Sequence, residues 1–224
     1  MIAMQGFFLQ LVEGAWLTLQ LSVSAFLLGI IVGLIGTFGK LSKRPVFYYT
    51  THTITSIIRG VPELVVLLLV YYGGIALLTS IMGHYVALSA FVAGVIALSL
   101  IFGAYASETF RGAYLAIPAS QIEAALAFGF TPIQGFRRII WPQLWRHALP
   151  GIGNLWFVLL KDTALVSLLG VVELMRAAQN ATATTEQPFT FYLAAAALYL
   201  ILTSVSLLGL NYLKRRAAQH IAEA

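Results

Sequence analysis

The sequence predicts an all-α integral membrane protein: five transmembrane helices and a helical loop on the cytoplasmic side. Three observations carry this prediction. Hydrophobic residues make up 60% of the 224 positions and charged residues only 9%, with a mean hydropathy of +0.89. Soluble domains carry roughly 25% charged residues, so neither a water-soluble globule nor a disordered chain fits. Long stretches contain no Asp, Glu, Lys or Arg, and a helix crosses about 30 Å of hydrocarbon with roughly 20 residues. The basic residues, which give a net charge of +5, gather between those stretches. The runs are continuously apolar rather than alternating, which argues against a β-barrel. The absence of Cys removes disulfides, iron–sulfur clusters and thiolate zinc sites.

The first uncharged stretch predicts a span over 14–39. Met1 to Val12 lacks the basic start of a secretory signal, and the apolar run that follows is too long for a signal core, so it is kept as a helix. Gly29, Gly33 and Gly36 form a ridge of small residues for close helix packing. Leu64 to Ser107 is long enough for two crossings, placed at 53–82 and 85–108 with a turn near Met82-Gly83-His84-Tyr85. Pro62 kinks or starts a helix inside the first of these. The last span is placed at 190–213. One more segment, 151–172, is apolar but interrupted by Lys161-Asp162.

Charge decides whether that segment crosses. Lys40, Lys43 and Arg44 follow the first span, Arg111, Arg137, Arg138 and Arg146 the third, and Lys214, Arg215 and Arg216 the last. All three clusters face the cytoplasm only if 151–172 spans the membrane. Five crossings then place the N-terminus in the periplasm and the C-terminus in the cytoplasm, with Arg176 in an outer loop.

The loop over 111–149 carries helix punctuation. Ser120 and Glu123 fit a capping box for a helix over 121–128, which ends at Gly129, a residue suited to the left-handed turn after a helix. Thr131 caps a second helix with Pro132 at its first position and Gln134 completing a second box. That helix is expected to stop before Pro142. Two readings are open from pattern alone. The hairpin lies on the headgroups, with Arg137 and Arg138 meeting anionic lipid, or its small residues Ala124, Ala125 and Gly129 dock into a partner's groove.

Glu123-Ala124-Ala125, then Gly129, then Ile139-Ile140-Trp141-Pro142 resembles the EAA loop of ABC importer permeases, with Trp141 where the family pattern has Leu. Arg59-Gly60-Val61-Pro62-Glu63-Leu64, the run from Gly103 to Ala113 with Ile117-Pro118, and Lys161 to Ser167 resemble the polar amino acid permeases. Trp145 to Gly151 and Gln187-Pro188-Phe189-Thr190 are most similar to the Q-type permease of arginine and histidine importers. The resemblance implies a single permease domain over 1–224 with the type I ABC importer fold, in a bacterial inner membrane. It also implies two ABC ATPase subunits, a second and different permease chain, and a periplasmic binding protein that delivers a basic amino acid. This chain has no G-x-x-x-x-G-K-[ST] phosphate loop, so ATP and Mg belong to the partners and the chain is not itself an enzyme. No cofactor, metal site or nucleic acid is expected.

Site residues follow from both sources. Glu123, Ala124, Ala125 and Gly129 are the expected ATPase-coupling residues, and Glu123 reads equally as a helix cap alone. Lys161 and Asp162 point about 100° apart on a helix. Either they form salt bridges to neighbouring helices, or Asp162 lines the substrate path and attracts a guanidinium or ammonium. Asn154 and Trp156 are the polar and aromatic members of a binding cluster that the resemblance implies on this helix. Leu155 is apolar where some homodimeric relatives carry a carboxylate, which fits a heterodimer. Arg59 and Glu63, four apart, read as a structural pair or a substrate contact. Glu108 and Arg111 read as a gate or interface pair or as a solvated helix end. The competing functions are a channel or secondary carrier that acts alone, for which no inverted repeat is visible, and a membrane enzyme or scaffold, for which no catalytic cluster is visible.

Overall fold

The computed structural model describes residues 2–219, and every regular element in that range is helical. The helices are α1 (Ile2–Lys40), α2 (Pro45–Gly60), α3 (Glu63–Met82), α4 (Ala90–Leu115), α5 (Ala119–Ala127), α6 (Pro132–Gly135), α7 (Trp141–Val166), α8 (Leu174–Thr185) and α9 (Pro188–Gln219). Five helical runs are long and apolar enough to cross a membrane: Gly6–Lys40, Glu63–Met82, Ala90–Leu115, Pro132–Leu169 and Pro188–Arg216.

Several boundaries depart from the sequence expectation, three of them for a clear local reason. The expected span over 53–82 is broken at Val61-Pro62. Pro62 has no N–H to continue a helix and instead precedes α3 as its N-cap, which leaves α2 as a separate helix. The helix expected to stop before Pro142 instead runs on. A π turn over Phe136–Ile140 links α6 to α7, and Pro142 falls in the first turn of the resumed helix. Pro150 is also carried inside α7, as membrane helices tolerate. The segment 151–172 ends early: α7 stops at Val166, a 3-10 turn covers Ser167–Leu169, and Gly170 turns left-handed at φ 93°. The outer loop expected around Arg176 is the helix α8.

α4 is the central helix, packed against α1, α2, α3 and α7. Its contact with α1 is close because the glycine ridge faces it. A Cβ at Gly29 would lie 2.6 Å from Phe102, one at Gly33 2.9 Å from Ala106, and one at Gly36 2.9 Å from Ser107. α8 belongs to a second core with the N-terminal half of α1 and with α9, where Leu11, Leu174, Ala178 and Phe191 are buried together. Its helical period, Leu174, Ala177, Ala178 and Ala181, buries one face.

Glu173 fixes α8 in place. Its Oε1 accepts the Arg176 N–H at 2.8 Å and caps the helix. Its Oε2 accepts hydroxyls from Thr18 at 3.2 Å and Tyr199 at 3.1 Å. One buried carboxylate thus joins α1, α8 and α9. Burial pushes this carboxyl above its ordinary value, while the donors around it pull the other way.

At the opposite end of α4, Glu108 gathers three cations. Lys40 Nζ lies 2.9 Å from Oε1, Arg59 Nη1 3.4 Å from Oε1, and Arg111 Nε 2.9 Å from Oε2. The Lys40 side chain is 1% exposed and also donates to Ser107 Oγ at 2.8 Å. This carboxylate ties the last turn of α1, the end of α2 and the body of α4 together. It also corrects the expected pairing of Arg59 with Glu63. The break at Val61-Pro62 takes the two off a common helix face, and Arg59 turns to Glu108 instead.

Replacing Glu108 by Gln leaves the Lys40 ammonium buried without its counter-charge, at a cost on the order of 3 kcal/mol. Thermal unfolding in detergent should show a clearly lower midpoint for Glu108→Gln and a partial recovery for Glu108→Gln combined with Lys40→Met. An unchanged midpoint in the single variant would show that Lys40 does not depend on this carboxylate.

Candidate functional site

The break between α2 and α3 also positions Glu63. As the first residue of α3, it points into a cleft of about 150 Å³ between α3, α4 and α7. Leu98, Phe102 and Tyr105 of α4 form one wall. Leu155, Leu159 and Asp162 of α7 form the other, spaced so that they share a helix face. Two carboxylates from different helices therefore line one small space whose walls are otherwise apolar and aromatic. Charged groups at membrane depth are costly unless they face a cavity or partner. Among the described residues, neither Glu63 nor Asp162 takes part in an ion pair. The Arg59 guanidinium lies 5.3 Å from the centre of the Tyr105 ring. Tyr105 thus connects the cleft to the cations around Glu108.

The other members of the expected path lie elsewhere. Lys161 is exposed on a different face of α7, and Asn154 is exposed outside the cleft. Trp156 packs edge-on to Phe26 at 5.3 Å, on the side of α7 toward α1. The structure therefore joins Asp162 with Glu63 rather than with Asn154 and Trp156. The sequence offers a signal for this in hindsight: a Pro between Arg59 and Glu63 separates them, and an acidic first residue suits a helix N-terminus.

The hairpin of α5 and α6 departs from expectation at its start. α5 begins at Ala119, with Pro118 as its N-cap and no side-chain cap. The Pro118 carbonyl accepts the Gln121 N–H at 3.1 Å. Ser120 therefore falls inside the first turn, and the capping box with Glu123 does not form. The second box does form, with Gln134 N–H donating to Thr131 Oγ1 at 3.3 Å and Thr131 N–H to Gln134 Oε1 at 2.9 Å. Gly129 has φ 79°, the left-handed turn that favours glycine. Ala125 is buried, whereas Glu123, Ala124 and Gly129 are exposed. Two large apolar side chains flank Gly129 at the tip of the hairpin, Phe128 at 84% exposure and Ile133 at 79%. Exposed apolar groups gathered at one place mark a surface that a partner covers.

Comparison with known proteins agrees with this architecture. Residues 25–219 match the family described as binding-protein-dependent transport system inner membrane component. Over 223 residues, 98% of each chain, the sequence is 47% identical to the histidine/lysine/arginine/ornithine transport system permease protein HisQ of Escherichia coli strain K12. Over 202 residues, 90% of each chain, it is 46% identical to the arginine ABC transporter permease protein ArtQ of Haemophilus influenzae. The fold matches a crystal structure of an amino acid ABC transporter with histidines at a TM-score of 0.83 and 32% identity, covering 96% of this chain and 97% of that one. The chain therefore belongs to the inner membrane components of binding-protein-dependent transport systems: it is a multi-pass permease subunit of an ABC transporter, with the five membrane helices of the type I importer fold.

Proposed function

We propose that this permease moves basic L-amino acids (arginine, histidine, lysine or ornithine) from a periplasmic binding protein to the cytoplasm. It does so as one half of a heterodimeric pore driven by two ATPase subunits. The observation that carries the substrate class is the cleft shared by Glu63 and Asp162. A guanidinium or ammonium relieves the repulsion between two carboxylates and makes charge-assisted hydrogen bonds to both. The apolar walls of Leu98, Phe102 and Leu155 suit the methylene stem of such a side chain. The HisQ and ArtQ relatives are named for transport of the same class. The basic clusters at Lys40, Lys43 and Arg44, at Arg137 and Arg138, and at Lys214, Arg215 and Arg216 support a periplasmic N-terminus and a cytoplasmic C-terminus.

The drive reaches the cleft mechanically. The ATPase pair grips the hairpin at Glu123, Ala124, Gly129, Phe128 and Ile133, with Ala125 seating α5 on its own chain. The hairpin continues into α7 through the π turn, and α7 carries Asp162. Movement of the hairpin therefore tilts the helix that holds one of the two carboxylates. Substrate and ATP bias the same pair of arrangements, open inward or open outward.

In proteoliposomes holding the complete complex, Asp162→Asn should raise the KM for arginine about tenfold or more, the cost of one charge-assisted hydrogen bond, while assembly stays intact. Glu63→Gln should act in the same direction. Unchanged arginine kinetics in both variants would remove the cleft from the path. Gly129→Val forces a β-branched residue into a left-handed turn, a strain of about 1–3 kcal/mol. ATP-driven uptake should fall sharply although the chain still inserts; normal uptake would show that the turn does not transmit force.

A further inference from the structure

A second groove lies apart from the cleft shared by Glu63 and Asp162. α1, α7 and α9 enclose an apolar space of about 460 Å³. Trp145, Leu149 and Trp156 line it from α7, and Gly209, Leu210 and Leu213 from α9. From Trp145 to Trp156 it runs about 16 Å along α7 at 1.5 Å per residue. α9 touches α7 closely where a Cβ on Gly153 would collide with Leu210. A Cβ on Gly209 would meet nothing within 4 Å, so the floor of the groove is open.

Positive charge sits at the end of this groove nearer the α5–α6 hairpin. Lys214 and Arg216 follow Leu210 and Leu213 by four and three residues, which continues the groove-facing stripe of α9. Arg146 precedes Leu149 by three on α7 and does the same for the other wall. Arg146 and Arg216 are exposed and Lys214 is half-buried. None of the three makes an ion pair among the described residues. The groove thus pairs an apolar channel with a cationic mouth at the cytoplasmic boundary. A single acyl chain is slender enough to enter.

We propose that this groove binds an anionic phospholipid, with one acyl chain between α7 and α9 and the headgroup phosphate against Arg146, Lys214 and Arg216. Apolar contact with Trp145, Trp156 and Leu210 holds the tail, and the cations select the headgroup. The bound lipid fills the gap between α9 and the rest of the bundle.

Native mass spectrometry of the complete detergent-purified complex tests this, with phosphatidylglycerol or phosphatidylcholine added as probe. The unmodified complex should retain one phosphatidylglycerol per copy of this chain. Gly209→Leu, which fills the open floor, should lose it, whereas Gly209→Ala, which adds one methyl to open space, should keep it. Lys214→Gln combined with Arg216→Gln should lower the preference for phosphatidylglycerol over phosphatidylcholine about tenfold. Equal retention of both lipids by the unmodified complex and all variants would overturn the proposal. So would loss of a protein subunit, rather than a lipid, on Gly209→Leu.

Discussion

A single carboxylate, Glu108, holds one end of the bundle together by meeting Lys40, Arg59 and Arg111 at once. The bilayer makes such a meeting place necessary. A charge without a partner is costly near hydrocarbon, so the cations that fix the topology of the chain also need somewhere to go. Lys40 ends the first long helix and is fully enclosed; without Glu108 and Ser107 its burial would be unfavourable. The same carboxylate reaches Arg59, and so fixes the end of α2 beside α4. Helix packing, topology and the position of the α2–α3 break thus rest on one group.

That break organises the proposed transport path. Gly60, Val61 and Pro62 separate a cation that faces the charge cluster from an acid that faces the cleft. Tyr105, one turn before Glu108 on α4, touches both regions through the Arg59 guanidinium on its ring and through the cleft it lines. On the proposed reading, a change in the cleft and a change at the cytoplasmic end are linked across a few residues of α4. Glu173 plays the matching structural part at the other end, where it pins α8 to α1 and α9.

Much of this was legible in the residues. The uncharged stretches and basic clusters revealed five crossings, because the hydrocarbon core imposes length and charge rules that hold along the sequence. The glycines at 29, 33 and 36 announced a close helix contact, and Gly129 and Thr131 announced the hairpin, because their backbone and capping chemistry is local. What stayed hidden depended on distance in sequence. Nothing near Glu108 points to Lys40, 68 residues away. Asp162 looked like the companion of Asn154 and Trp156, its neighbours on α7, but its companion in space is Glu63. Proline misled in both directions: Pro62 broke a helix read as continuous, whereas Pro142 and Pro150 failed to break one, since a π turn and the membrane setting absorbed them. α8 escapes a reading by apolar length because its helix is amphipathic, with a buried acid at its cap.

On the proposed reading, the permease selects cationic amino acids and borrows its energy. The most direct test is uptake of labelled arginine and of labelled neutral amino acids by the complete complex in liposomes, with and without internal ATP, beside liposomes that hold this chain alone. The account predicts concentrative, ATP-dependent uptake of arginine, little uptake of the neutral amino acids, and none by the lone chain. Arginine movement by the lone chain without ATP, or equal uptake of arginine and the neutral amino acids by the complex, would contradict it.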